Sequence, residues 1–192
     1  LLAEVSAIPF EAAEFNPELL ADEVAHLFSH IYFASLKLIH GRRRDTPAAE
    51  LADDTAFLVE TQAENGSWEQ QSLLTIVALL ALGPETPAFA RGIAFLRSMT
   101  RDDGGVAFCD NLNLWTAALG GLALLESDQL TRDALHGVAD YVLSQQQPGG
   151  GWAFSERVTQ TDTDTSAQCA QLLLQLDKDR YATAIEAAHA HF

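Results

Sequence analysis

The chain has 192 residues, 48% of them hydrophobic, enough for a buried core whether it is one domain or part of a larger one. Eleven Lys and Arg against 27 Asp and Glu leave a net charge of −16, which repels nucleic-acid phosphates and anionic membrane surfaces; a nucleic-acid partner is set aside. Cys109 and Cys169 stand far apart, so neither a disulfide framework nor a paired-cysteine zinc site is indicated, and a reducing cytoplasm is the expected location.

From Asn16, apolar residues recur at three- and four-residue spacings (Leu20, Val24, Leu27, Phe28, Ile31, Leu38), the pattern of an amphipathic helix that ends at Gly41. Arg42, Arg43 and Arg44 follow. They read either as a solvated linker or as guanidinium forks able to grip a diphosphate. A second helix runs from about Pro47 to Thr61, and a third, Ser72 to Leu82, is apolar on nearly every face. Its apolar run has about half the length of a membrane span, and no basic leader with a cleavage site opens the chain; no integral membrane segment is expected.

Further helices are predicted over Pro87 to Met99, Leu114 to Leu125, Leu130 to Leu143, Ser166 to Leu176, and from near Tyr181 to the last residue. Glycine-bearing turns recur at 62 to 68, 100 to 108 and 146 to 154. Such a period is the mark of stacked helix pairs. Nearly uncharged helices alternate with helices charged on one face, which predicts inner and outer layers curling into a ring: an all-α fold, an α/α toroid.

Two turns share one spacing: Gln62, Gly66, Trp68 and Gln146, Gly150, Trp152. A Gln at a helix end can bond free backbone groups, Gly permits a positive φ, and Trp lays an apolar plate over the joint, so these read as structural staples. The middle turn keeps Gly104 and Gly105 but has Val106 where the Trp would fall. After the last turn come two carboxylates at alternate positions, Asp162 and Asp164, just before a helix. On local chemistry alone they could be N-caps, with Thr163 and Thr165 as alternatives. They could equally form an acid site, because two close carboxyls do not readily both ionise and one then keeps its proton.

The repeated Q-x-x-x-G-x-W, the run GGWAF and the D-x-D segment leading into a helix resemble the squalene-hopene cyclase and class II terpene cyclase superfamily, over roughly residues 48 to 192. The family's acid motif reads D-x-D-D-T-A, with the middle Asp as proton donor. The resemblance therefore implies Asp164 as general acid and Asp162 as its neighbour. It implies a substrate-facing set of Trp115, Phe154, Thr165 and Trp152, with aromatic faces that stabilise a carbocation without offering a nucleophile. Thr165 stands where a third Asp is usual, and Thr116 where the family often has Asp. The D-x-D-T form is similar to that of bacterial class II cyclases acting on prenyl diphosphates, drimenyl diphosphate synthases among them.

The implied activity is protonation-initiated cyclisation of a linear isoprenoid, with farnesyl or geranylgeranyl diphosphate as substrate, the diphosphate retained, Arg42, Arg43 and Arg44 as its candidate holders, and Mg²⁺ as its counter-ion. The alternatives are a squalene-type cyclase of an uncharged polyprene and a non-catalytic toroid that binds a partner or lipid. Cys109 and Asp110 invite a zinc reading, but no further ligands stand at a matching spacing, and the six histidines show no ligand pattern. A closed ring of this kind has more helices than are counted here. Residues 47–192 are thus expected to be the first part of the acid-bearing barrel, the remainder coming from the same or another chain, with 1–46 an N-terminal helix and basic linker from an adjoining domain.

Overall fold

The computed structural model describes residues 27–127 and 129–192, and among them every regular element is helical. None of these helices is long and apolar enough to cross a membrane. The chain divides into two compact units, the first ending at Asp110 and the second beginning at Asn111.

In the first unit, α1 (Leu27–Arg43) packs along α3 (Ser72–Leu82). A short 3₁₀ turn, Ala48–Leu51, runs into α2 (Ala52–Glu60), which rests on α1, and α4 (Pro87–Ser98) rests on α3. Ile31, Leu38, Leu58, Trp68, Leu74 and Ala78 form the centre of the core. The stretch of the first predicted helix before residue 27 lies outside the described residues. Its other end differs from expectation: α1 continues through Gly41 to Arg43. Gly41 is buried against the Leu51 side chain, whose methyl groups would have to shift to admit a Cβ, and the chain reverses instead at Asp45, where φ is 55°. That glycine serves close packing, not helix termination. At the other end of α3, Gly83 (φ 76°) closes the helix and Arg42 donates from Nη2 to the Leu82 carbonyl at 2.8 Å, supplying a partner for a carbonyl that the helix itself leaves free.

In the second unit, α5 (Asn113–Ser127) lies along α7 (Thr163–Asp177), α6 (Arg132–Ser144) packs on both, and α8 (Ala182–His191) packs on α7. Leu114, Ala118, Val142, Trp152, Cys169 and Leu173 are fully or almost fully buried at its centre. Helix α7 begins three residues before the predicted Ser166. Asp162 is its N-cap, with φ −126° and ψ 149°, and its side chain accepts from the Thr165 amide.

The two staples are built alike, each within its own unit. Gln62 donates from Nε2 to the carbonyls of Gly66 and Ala88, both at 2.9 Å, and Gln146 does the same to Gly150 at 2.7 Å and Ala184 at 2.8 Å. Trp68 Nε1 donates to the Leu58 carbonyl at 2.9 Å and Trp152 Nε1 to the Val142 carbonyl at 2.8 Å, with both indoles wholly buried. Gly66 and Gly150 both have φ 88°, a conformation that an L side chain rarely adopts. Each staple thus joins the end of one helix to the body of the helix pair that follows. In the middle turn Gly104 (φ 82°) is present, but Val106 is exposed and no indole covers the joint.

Candidate active site

The staple of the second unit places the acid segment. The Trp152 amide donates to Ser166 Oγ at 2.8 Å, and Ser166 is the fourth residue of α7. In the first unit the Trp68 amide donates to Thr75 Oγ1 at 3.1 Å, and Thr75 is the fourth residue of α3. The separation is 7 residues in the first case and 14 in the second. The second copy therefore carries an inserted loop between its tryptophan and its helix, and the acid segment closes that loop. Where α7 has Asp162 as cap and Asp164 in its first turn, α3 has Gln71 and Leu73.

Asp162 is held through both backbone groups: its amide donates to the Trp152 carbonyl and its carbonyl accepts from the Ser166 amide, each at 3.0 Å. Its Oδ1 accepts from the Thr165 amide at 2.7 Å, which satisfies one of the free donors at the start of α7. Its Oδ2 is buried with no hydrogen-bond partner in the protein, and so is Thr165 Oγ1. Unpaired buried polar atoms are costly, and most buried polar groups find a partner in the protein or in ordered water. Asp164, two residues on, is exposed. One oxygen of Asp162 thus caps the helix, and the other has no partner within the protein.

Both carboxylates open onto one pocket of about 210 Å³, lined by Leu112, Trp115, Phe154, Asp162, Asp164 and Thr165. The sequence-derived residues Asp162, Asp164, Thr165, Trp115 and Phe154 thus meet in one place. The Phe154 carbonyl accepts from the Leu114 amide at 3.1 Å, which fixes the start of α5, and Trp115 with it, to the turn that carries Phe154. Leu112 was not singled out from the sequence, although it is a large apolar residue between two asparagines and is exposed. Trp152 is wholly buried and its ring belongs to the core, so it reaches the site through its backbone alone. Thr116 donates to the Leu112 carbonyl at 2.8 Å and faces away, into an apolar groove between α5 and α6.

Around this pocket burial and hydrogen bonding shift several groups. Burial, with the Asp162 charge adding to it, pushes the Cys169 thiol up to about 12, so the thiol stays protonated and inert. Burial and the hydrogen bond to Glu156 push the Tyr141 phenol up to about 12. Glu156 accepts from Tyr141 Oη at 2.6 Å and from Asn113 Nδ2 at 3.2 Å, and these bonds hold its carboxyl below the usual range.

Of the three arginines, Arg42 is engaged at the end of α3, and Arg43 and Arg44 are exposed; all three are in the first unit, whereas the pocket is in the second. Among the described residues no three or more His, Cys, Asp or Glu side chains converge as a metal site.

No family model matches the chain. It is 26% identical over 188 residues to a drimenyl diphosphate synthase of Streptomyces showdoensis, an alignment covering 96% of this chain and 34% of that protein. To the drimenyl diphosphate synthase of Streptantibioticus cattleyicolor it is 25% identical over 205 residues, covering 100% of this chain and 38% of the relative. The chain spans roughly a third of the length of the curated relatives it matches.

Proposed function

We propose that this chain is the acid-bearing part of a class II terpene cyclase, in which a linear prenyl diphosphate is cyclised by protonation and keeps its diphosphate. The observation that carries the reading is the single pocket in which Asp162 and Asp164 meet Trp115 and Phe154. Supporting it are the names of the two relatives and the inserted loop that leads to Asp162 and Asp164, which the first staple lacks.

In the proposed reaction the apolar end of the substrate enters the pocket and displaces water from the carboxyls. Asp164 gives its proton to the less substituted carbon of the terminal double bond, leaving a tertiary cation on the neighbouring carbon. Internal double bonds then supply electron pairs in turn, each forming a carbon–carbon bond and passing the positive charge along the chain. A base takes a proton next to the last cation, and the product is an isomer of the substrate. Trp115 and Phe154 offer ring faces to the positive charge. Asp162, capping α7, holds the first turn that carries Asp164.

Farnesyl diphosphate giving a drimane-type bicycle is the first choice of substrate, with geranylgeranyl diphosphate giving a copalyl- or halimane-type product next. Mg²⁺ is proposed only as counter-ion of the diphosphate, whose own oxygens are typical ligands for it, and no step depends on it. Further helices, from the same chain or another, complete the proposed ring and enclose the pocket.

The complete protein is to be incubated with Mg²⁺ and, separately, farnesyl diphosphate, geranylgeranyl diphosphate and squalene, as wild type and as Asp164→Ala, with mass spectrometry after phosphatase treatment. A cyclic alcohol from one diphosphate, absent in the variant, is the expected result. Cyclised squalene would move the assignment to a cyclase of uncharged polyprenes. No product from any of the three would favour a binding role.

A further inference from the structure

Glu156 lies in the inserted loop, two residues after Phe154, and reaches two helices. Its Oε1 accepts from Tyr141 Oη on α6 at 2.6 Å, and its Oε2 accepts from Asn113 Nδ2 at 3.2 Å. Asn113 is the first residue of α5, two before Trp115. The same loop is also held by Gln147, which donates from Nε2 to the Val158 carbonyl at 3.1 Å, and by the buried Val158 side chain. Phe154 and Trp115, which line the pocket together, are thus tied by the main-chain bond from Leu114 to Phe154 and by the side-chain bracket of Glu156. The staple of the first unit has no inserted loop in which such a bracket could sit.

We propose that Glu156 is a positioning residue that sets the spacing of Phe154 and Trp115 across the pocket and thereby selects which cyclised product is formed. The product-selecting part rests on the cyclase reading above; the bracket itself stands on the geometry. Attraction between a cation and an aromatic face needs the charge within about 6 Å of the ring. Two rings whose separation is loosened stabilise the cation at different points along the chain, and proton loss then competes at more than one carbon.

The bracket needs acceptors for two donors but no particular charge. A glutamine can accept from Tyr141 through Oε1 and, with the Asn113 amide turned over, donate to it through Nε2. Glu156→Gln is therefore the rescuing variant, and Glu156→Ala the breaking one.

The experiment uses the complete protein with 5-fluorotryptophan incorporated, the Trp115 ¹⁹F signal being identified by its loss in Trp115→Phe. Glu156→Ala and Tyr141→Phe are expected to move or broaden that signal, and Glu156→Gln to leave it near the wild-type position. With the active prenyl diphosphate, Glu156→Ala is expected to divert product to additional or incompletely cyclised species and to lower kcat/KM by about tenfold, the scale of a sub-ångström misplacement. Glu156→Gln should restore the product pattern. A wild-type pattern and an unmoved Trp115 signal in Glu156→Ala would overturn the proposal. If the wild type cyclises nothing, the functional reading and product selection both fall, and the Trp115 signal still decides whether the bracket holds the wall.

Discussion

Trp152 and Ser166 are joined twice: the Trp152 amide donates to Ser166 Oγ at 2.8 Å, and Ser166 Oγ donates to the Trp152 carbonyl at 3.1 Å. Both residues are wholly or almost wholly buried, so this exchange ties the staple to the helix that carries Asp164. Ser166→Ala leaves a buried amide without its acceptor. A loss of about 1–3 kcal/mol in unfolding free energy is expected, read from the midpoint of a urea melt.

Asp162 and Asp164 should separate by what they do. Asp162→Ala removes the N-cap of α7 and is expected to cost about 1 kcal/mol, whereas Asp162→Asn keeps a capping oxygen and restores most of it. Asp164→Asn changes only an exposed first-turn charge and is expected to cost less than about 1 kcal/mol while abolishing cyclisation. Denaturant melts alongside product assays make the comparison.

Gly150 and Gly104 share a positive φ but not their surroundings. A Cβ at Gly150 would overlap the Ala187 carbonyl, whereas one at Gly104 meets nothing within 4 Å. Gly104→Ala should cost about 1–2 kcal/mol from backbone strain alone. Gly150→Ala adds overpacking of about 1–3 kcal/mol to that strain, so the difference between the two melts isolates the staple's close approach.

The Tyr141 phenol, held up at about 12 against an ordinary 10.0, is more easily kept protonated in the folded protein than in the unfolded chain. Its contribution to stability is therefore full below pH 10 and lost as pH rises through 12. Glu156 runs the other way: its depressed carboxyl contributes above about pH 4.5, its ordinary value, and that contribution fades as pH falls through the lowered one. Ultraviolet titration of wild type against Tyr141→Phe isolates the Tyr141 ionisation, which Glu156→Ala is expected to lower.

Cys169 is wholly buried, with its thiol pushed up to about 12, whereas Cys109 is partly exposed and only raised. Iodoacetamide in native buffer should leave Cys169 unmodified until the second unit unfolds, with Cys109 reacting first. Peptide mass spectrometry over a urea series reads both.

The staples were legible in the sequence because they are local: the Gln, Gly and Trp that cooperate lie within seven residues of one another, and each makes its bond through a group that its residue type always carries. The pairing of carboxylates with Trp115 and Phe154 was legible through the resemblance. The start of α7 was not, since four successive residues, Asp162 to Thr165, are all chemically able to cap. Contact between Ser166 and the distant Trp152 goes with Asp162 as the choice. Gly41 misled for a similar reason, as its lack of a side chain answers Leu51 and not the local turn. Glu156 gave no signal at all, because its partners Tyr141 and Asn113 lie 15 and 43 residues away and only the fold brings them together.

The most direct test of the central claim is the fate of the initiating proton. The complete protein, equilibrated in D₂O, is to be given unlabelled farnesyl diphosphate, and the product weighed before and after phosphatase treatment. Protonation by an exchanged Asp164 carboxyl predicts a cyclic diphosphate carrying one added deuterium, and none in Asp164→Asn. Release of inorganic diphosphate with an unlabelled hydrocarbon, or a deuterated cyclic product that survives Asp164→Asn, would contradict the account.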